Sequence, residues 1–178
     1  PFPCEAGYQT AMNAVAPALE LAPALVVLPG GKAAAADGAG VRELTPGEAE
    51  TLALRSPVIV AHAGLTARRL GLQPPPRSKD IFDALELYAF VRPARFCAPS
   101  AAGLALALGL PEPRGAAAQA EALGACCRML LQELAEAPFP TRDEALATAE
   151  ALARAGWAWG AAAVSALRRE PVREGRGS

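Results

Sequence analysis

The chain has one histidine, two lysines, two tryptophans and two tyrosines in 178 residues, and aromatic residues make up 5% of it. A single histidine leaves no His-rich metal cluster to build. The four cysteines, Cys4, Cys97, Cys126 and Cys127, form neither a C-x-x-C pair nor a Cys/His zinc spacing. Cys126 and Cys127 are neighbours in a helical pattern, about 100° apart around the axis, and read as buried small apolar residues. A reduced cytoplasmic protein is the simplest reading. No apolar run reaches the roughly 18 to 20 residues that span a bilayer, so no membrane association is expected. Residues 1–20 lack the basic start of a signal peptide. A start on Pro and an end at Arg-Gly-Ser read as an excised fragment. Neither sign of charge dominates: 17 Lys and Arg face 18 Asp and Glu, for a net −1, which argues against a purely electrostatic grip on nucleic acid.

What is abundant is alanine, about a quarter of the chain. With 52% hydrophobic residues, the chain can bury a core and is not expected to be disordered. The 16 Gly and 17 Pro follow no period, which excludes a collagen-like or coiled-coil rod. Alanine favours helix but fills little volume. A core built on it must bring backbones close together or borrow surface from a partner. Arginine far exceeds lysine, which together with the alanine points to a GC-rich source genome and says nothing of function.

Apolar positions Met12, Val15, Ala16 and Leu19 recur at helical spacing and predict a short helix over 9–20. Ala24 to Leu28 is a continuous apolar run closed by Pro29-Gly30-Gly31, as in a buried strand followed by a turn. Lys32 to Ala36, the Asp37-Gly38 turn and Val41 to Leu44 read as the next two strands. Thr45, Pro46 and Glu48 make a capping box for a helix to about Arg55, broken by Ser56-Pro57. Val58 to Ala61 is a second buried strand, leading into a helix over Leu65 to Leu70 that Gly71 stops. After a linker-like 73–78, residues 80–91 begin extended and continue as a helix capped by Asp83. Ser100 caps a helix over Ala101 to Leu108, and a long helix follows from about Ala116 to Ala135. Thr141 and Glu144 form a further capping box for a helix to about Ala155. A Gly156-Trp157-Ala158-Trp159 turn precedes the last helical stretch, Ala161 to Arg168. The class is α/β with a small sheet.

No phosphate loop is present, since Gly30-Gly31-Lys32 lacks the upstream glycine spacing and the following Ser or Thr. No G-x-S-x-G elbow occurs, and no nucleophile is attached to His62 by motif. Glu133/Glu136 and Asp143/Glu144 lie on helical faces that read as solvated surface.

One ordered set of segments stands out. It comprises Val58-Ile-Val-Ala-His62-Ala-Gly-Leu-Thr-Ala67, Asp80-Ile-Phe-Asp83-Ala-Leu-Glu-Leu87, Ser100-Ala-Ala-Gly-Leu-Ala-Leu-Ala-Leu-Gly-Leu110 and a helix opening near Ala116. This order resembles the DEDD-type 3′→5′ exonucleases over about residues 24–136. The resemblance implies a ribonuclease H-like fold, a small sheet flanked by helices. It also implies a two-metal site of four carboxylates, in which the metals activate water and steady the phosphate transition state. The positions that would carry those carboxylates hold Pro29, Gly31, Ala67 and Gln119. The motif asparagine falls on Ala63 and the last motif's histidine on Arg114. Asp83 matches a helix-starting position, and His62 matches with no carboxylate beside it in the motif. His62, Asp83, Arg114 and Gln119 therefore form a vestigial site. No catalytic residue, metal ligand or cofactor is expected, because divalent magnesium needs oxygen donors these positions lack.

Leu85 to Phe96, with Pro99, Gly103-Leu104-Ala105 and the Trp157/Trp159 turn, is similar to the N-terminal region of DinG-type, XPD-like ATP-dependent DNA helicases of alphaproteobacteria. The resemblance implies a degenerate exonuclease-like module ahead of a helicase core. The helicase's Walker loops and four-cysteine cluster do not occur in these residues. It divides the chain into an N-terminal extension of unassigned origin (1–23), the exonuclease-like domain (24–136), a helical extension (137–169) and a disordered tail (170–178). The implied role is a pseudoenzyme accessory domain that positions DNA or contacts the helicase core of the parent chain. Arg68, Arg69, Arg92, Arg95 and Phe96 are the candidates for touching single-stranded or forked DNA, by phosphate and base contacts. A competing reading pairs these arginines with Glu86 or Asp83 and buries Phe96. Two further alternatives are an active metal-dependent nuclease centred on His62 and Asp83, and a protein-interaction module without DNA contact.

Overall fold

The buried run after Pro23 is extended because its side chains are covered on both faces. Ala24 and Val26 point to one side, Leu25 and Val27 to the other, and all four are buried. In the computed structural model, which describes residues 22–72, 80–136 and 142–169, this run is strand β1 (Ala24–Val27) at the centre of the sheet. β2 (Ala33–Asp37) and β3 (Gly40–Leu44) follow as antiparallel neighbours, in register Ala24 with Ala36 and Ala33 with Leu44. β4 (Val58–Val60) and β5 (Ile81–Asp83) add parallel strands on the opposite side of β1. The five-stranded mixed sheet has the order β3-β2-β1-β4-β5. Antiparallel neighbours are joined by tight turns, whereas each parallel pair needs a crossover. The crossover from β4 to β5 contains helix α2 (Ala63–Arg69).

Seven helices are described. On the sheet face of Leu25, Val27 and Val60, α1 (Pro46–Arg55) seats Ala49 and Ala53, with α2 beside it. The opposite face, carrying Ala24, Val26, Ala34, Ile59 and Phe82, is covered by α5 (Gly115–Glu136) and α7 (Gly160–Arg168). α3 (Ala84–Val91) and α4 (Ala101–Ala107) pack on α5, and α6 (Arg142–Arg154) packs on α7. The molecule is therefore an α/β protein with helices on both sheet faces. Residues 142–169 share their core with the strands, because Trp159 and Val164 belong to the same buried cluster as Phe82.

Alanine shapes these contacts. β2 reads Ala-Ala-Ala-Ala-Asp, a weak strand former by composition, and it is held extended by hydrogen-bonded neighbours on both sides. Small side chains also let α5 come close to β1: a methyl on Gly124 would lie 3.8 Å from Cβ of Ala24. At the start of α7 the approach is closer still. A methyl on Gly160 would sit 2.5 Å from Cα of Ala153 on α6, so only glycine fits that corner.

The Thr45/Glu48 capping box forms: Thr45 N–H donates to Oε2 of Glu48 at 2.8 Å, and Glu48 N–H donates to Oγ1 of Thr45 at 3.3 Å. α2 starts two residues before the expected Leu65, because His62 supplies the cap. The helix expected over 9–20, the linker 73–78, the Thr141 cap and the tail 170–178 lie outside the described residues. No helix among the described residues is long and apolar enough to cross a membrane.

Candidate functional site

β4 and β5 are parallel neighbours with Val60 opposite Asp83. Both strands run straight into helices at the same edge of the sheet, so the N-termini of α2 and α3 lie side by side. Each presents unsatisfied N–H groups and the positive end of a helix dipole. One carboxylate answers both. Oδ2 of Asp83 accepts from Ala63 N–H of α2 at 2.7 Å, while Oδ1 accepts from Leu85 N–H at 3.0 Å and from Glu86 N–H at 3.4 Å. Leu85 N–H is shared with the Ala61 carbonyl at 3.2 Å. Asp83 is buried, at 7% exposure. His62 caps α2 directly: its Nδ1 accepts from Leu65 N–H at 3.2 Å, which requires that nitrogen to carry no proton.

The two tryptophans close the arrangement from the far end of the chain. Trp159, wholly buried, donates Nε1–H to the Asp83 carbonyl at 2.6 Å and meets Phe82 edge to face at 5.1 Å. Trp157 donates Nε1–H to Oε2 of Glu86 at 2.9 Å and leans on Phe90 at 5.2 Å. Burial pushes the Glu86 carboxyl above the usual carboxylate range, with the neighbouring Asp83 charge adding to it; the Trp157 hydrogen bond and His62 oppose the shift. A buried Trp needs an acceptor for its N–H, a signal present in the sequence, but nothing in the sequence says that the acceptors lie more than 70 residues upstream.

The structure brings His62, Asp83 and Glu86 together. Pro29 and Gly31 lie past the end of β1, in the hairpin turn closed by Leu28 N–H to the Lys32 carbonyl at 2.7 Å and Gly31 N–H to the Leu28 carbonyl at 3.1 Å. Gly31 has φ +86°, a conformation that side-chain-bearing residues rarely adopt. A glutamate there would be strained, so the position differs from a carboxylate site in backbone as well as in side chain. Beside it, Nη1 of Arg69 donates to the Val27 carbonyl, the last of β1, at 2.7 Å. Ala63 opens α2, and Ala67 is buried within it. Arg114 is exposed just before α5, and Gln119 is half-buried in its early turns; no hydrogen bond among the described residues joins either to His62 or Asp83. No group of three or more His, Cys, Asp or Glu side chains that could hold a metal ion occurs among the described residues.

The arginine candidates separate. Arg68 is exposed on α2, and Arg69 is tied to β1 as above. Arg92 is pinned by Glu133 of α5, through Nε at 3.2 and 3.1 Å and Nη2 at 2.9 Å, and donates Nη1–H to the Ala107 carbonyl at 3.2 Å. Its partner is thus Glu133 rather than Glu86 or Asp83, a pairing across 41 positions that no local spacing signals. Arg95 is exposed, and Phe96 is 88% exposed instead of buried. The loop that presents them turns at Ala94 with φ +63° and is latched by Tyr88 Oη donating to the Phe96 carbonyl at 3.5 Å. The thiols of Cys97 and Cys126 are raised by burial, the latter to about 11, and that of Cys127 is also raised by burial. Thiols so shifted are poor nucleophiles at neutral pH.

Helices on both faces of a small mixed sheet, with two capped helix starts at one strand edge, define an α/β domain. No family model, curated protein or solved structure matches the chain.

Proposed function

We propose that this chain is a catalytically inactive, exonuclease-like accessory module of a DNA helicase, with a ribonuclease H-like fold. In this reading it positions single-stranded or forked DNA or contacts the helicase core of a longer parent chain. The fold assignment draws support from the order β3-β2-β1-β4-β5, in which β2 alone runs against both neighbours and β1, β4 and β5 run parallel. A ribonuclease H-like sheet has this arrangement.

The observation that carries the reading is the commitment of Asp83. Its two oxygens take N–H groups from two helices, and His62 caps one of them. Using Nδ1 of His62 as a base or metal ligand would uncap α2, and both oxygens of Asp83 are already engaged in holding helix starts. The positions matching the family's carboxylates are Pro29, Gly31, Ala67 and Gln119, which supply no charge to hold two divalent ions. DNA contact is favoured by the outward Arg95 and Phe96, a guanidinium and a ring on one loop, because stacking and phosphate pairing together grip a single strand.

Fluorescence polarisation with labelled single-stranded DNA at two salt concentrations tests this. Binding should weaken as salt rises, because phosphate pairing releases counterions; no binding, or binding indifferent to salt, leaves the protein-interaction reading instead. In parallel, incubation with Mg²⁺ or Mn²⁺ should leave labelled DNA intact. Degradation that His62→Ala abolishes would overturn the reading.

A further inference from the structure

α2 begins on an uncommon cap. Two side chains hold its first N–H groups: Oδ2 of Asp83 accepts from Ala63 N–H at 2.7 Å, and Nδ1 of His62 accepts from Leu65 N–H at 3.2 Å. The usual capping residues, Ser, Thr, Asp and Asn, offer oxygens that go on accepting down to about pH 5. An imidazole nitrogen accepts only while it carries no proton, and in the cationic ring both nitrogens are donors. His62 is half-buried, not enclosed, which leaves it open to proton exchange with solvent. Gly64 gives the ring its place over the turn, since a methyl there would lie 3.2 Å from Cε1 and 3.5 Å from Nδ1 of His62.

We propose that His62 is an acid-sensitive catch on α2: taking up a proton turns Nδ1 from acceptor into donor, expels the Leu65 N–H and loosens the first turn of the helix. The step is one proton transfer from solvent, in which the lone pair that held Leu65 N–H becomes the new N–H bond. A cation at this point also opposes the positive end of the α2 dipole, so the charged ring swings away instead of docking again. The charged groups beside it come from the start of α3. They are Asp83, engaged with Ala63 N–H, and Glu86, whose carboxyl feels the His62 charge. Both favour a cation here and therefore favour release. Trp157 reaches this corner through Glu86 and is uncharged. α5 brings the Cys127 thiol near Asp83, and burial keeps that thiol protonated. The arginines of α2 itself, Arg68 and Arg69, stand in its last turn. The change stays within the first turn, because Asp83 still holds Ala63 and Arg69 still holds the Val27 carbonyl. This inference does not depend on the nuclease-like reading.

Nuclear magnetic resonance on the full chain tests it, and the ring signals need no assignment because His62 is the chain's one histidine. At about pH 8 the ring nitrogens should report a bare Nδ1 and a protonated Nε2. As pH falls to about 5, across the range in which histidine side chains change charge, both nitrogens should become protonated. Protection of the Leu65 amide, corrected for intrinsic exchange, should fall roughly three- to tenfold with the same midpoint, while amides of β1 and β4 stay protected. Asn caps a helix without titrating, so His62→Asn should keep Leu65 protected across the range. A neutral ring with its proton on Nδ1 overturns the proposal. So does a ring that titrates while Leu65 stays protected, and so does a fall in protection that persists in His62→Asn, which would place the change at Glu86.

Discussion

The two ends of α3 treat their polar groups in opposite ways. At its start, Asp83 is buried and its carboxylate is filled by N–H groups of α2 and α3. At its end, Arg92 is clamped to Glu133, but three residues on, Arg95 and Phe96 face solvent on a loop with a left-handed turn at Ala94. Matching the start of α3 to a catalytic family draws the eye to His62 and Asp83. The Asp83 oxygens and Nδ1 of His62 already hold backbone N–H groups, whereas the Arg95 guanidinium and the Phe96 ring are held outward. The contrast makes the start of α3 scaffold, and under the proposed function it leaves the end of α3 as the candidate contact surface.

The largest effect should come from removing the post under the scaffold. Trp159→Ala deletes a wholly buried ring that meets Phe82 edge to face and holds the Asp83 carbonyl, and should cost about 3–5 kcal/mol in urea unfolding. Trp159→Phe keeps most of the burial and loses chiefly the hydrogen bond, about 1–2 kcal/mol. Equal losses for both variants would mean that the N–H, not the ring, is what matters.

Asp83→Ala should follow at about 2–3 kcal/mol, because it uncaps two helices at once and strands the Ala63 N–H. Asp83→Asn keeps one acceptor oxygen and should lose less. A nuclease reading of Asp83 would instead require a variant of near-native stability with altered chemistry, and differential scanning calorimetry beside the DNA degradation assay separates the two.

At the other end of α3 the effects should exchange places. Arg92→Ala breaks a three-contact ion pair of partly exposed groups and should cost about 1 kcal/mol of stability or less, with little change in DNA affinity. Arg95→Ala should leave stability within about 0.5 kcal/mol but weaken single-strand binding and reduce its salt slope by about 1. If Arg92→Ala weakens DNA binding as much as Arg95→Ala, the division between scaffold and contact surface fails at this loop.

Local signals made most of the fold legible in the sequence. Thr45-Pro46-x-Glu48, Asp83 and Ser100 mark helix starts that form as expected, because a cap is decided within four residues. The apolar runs at Ala24 and Val58 mark strands buried on both faces. What stayed hidden depends on partners distant in the chain. His62 reads in the sequence as part of a vestigial site without catalysis, and that it caps a helix through Leu65, three residues on, goes unsignalled because His is a rare cap. Glu133 as the partner of Arg92, and Asp83 and Glu86 as acceptors for Trp159 and Trp157, are set by how α5 and the C-terminal helices lie on the sheet. Phe96 stays open in the sequence between a surface contact and the core, since hydrophobicity favours burial; the structure holds it outward on a loop with a left-handed turn at Ala94.

The smallest effect is a pH dependence at Glu86, placed between the two ends. Its carboxyl ionises at higher pH in the folded protein than the ordinary 4.5, because burial and the Asp83 charge disfavour the anion. A carboxyl raised by folding favours the native state while protonated. That contribution is therefore complete below 4.5 and is lost as pH rises through the higher folded value. Glu86→Gln retains an acceptor for the Trp157 N–H and cannot ionise. Urea unfolding of both proteins from about pH 4 to about pH 7, subtracted one from the other, should show the glutamine variant gaining relative stability as pH rises and then levelling. The gain should be small, since the carboxylate is partly exposed and solvent screens it. A difference of opposite sign would mean that the ionised carboxylate, acting on the N-terminus of α3 and on Trp157, outweighs its burial, and Glu86 would then belong with Asp83 among the groups that build the scaffold.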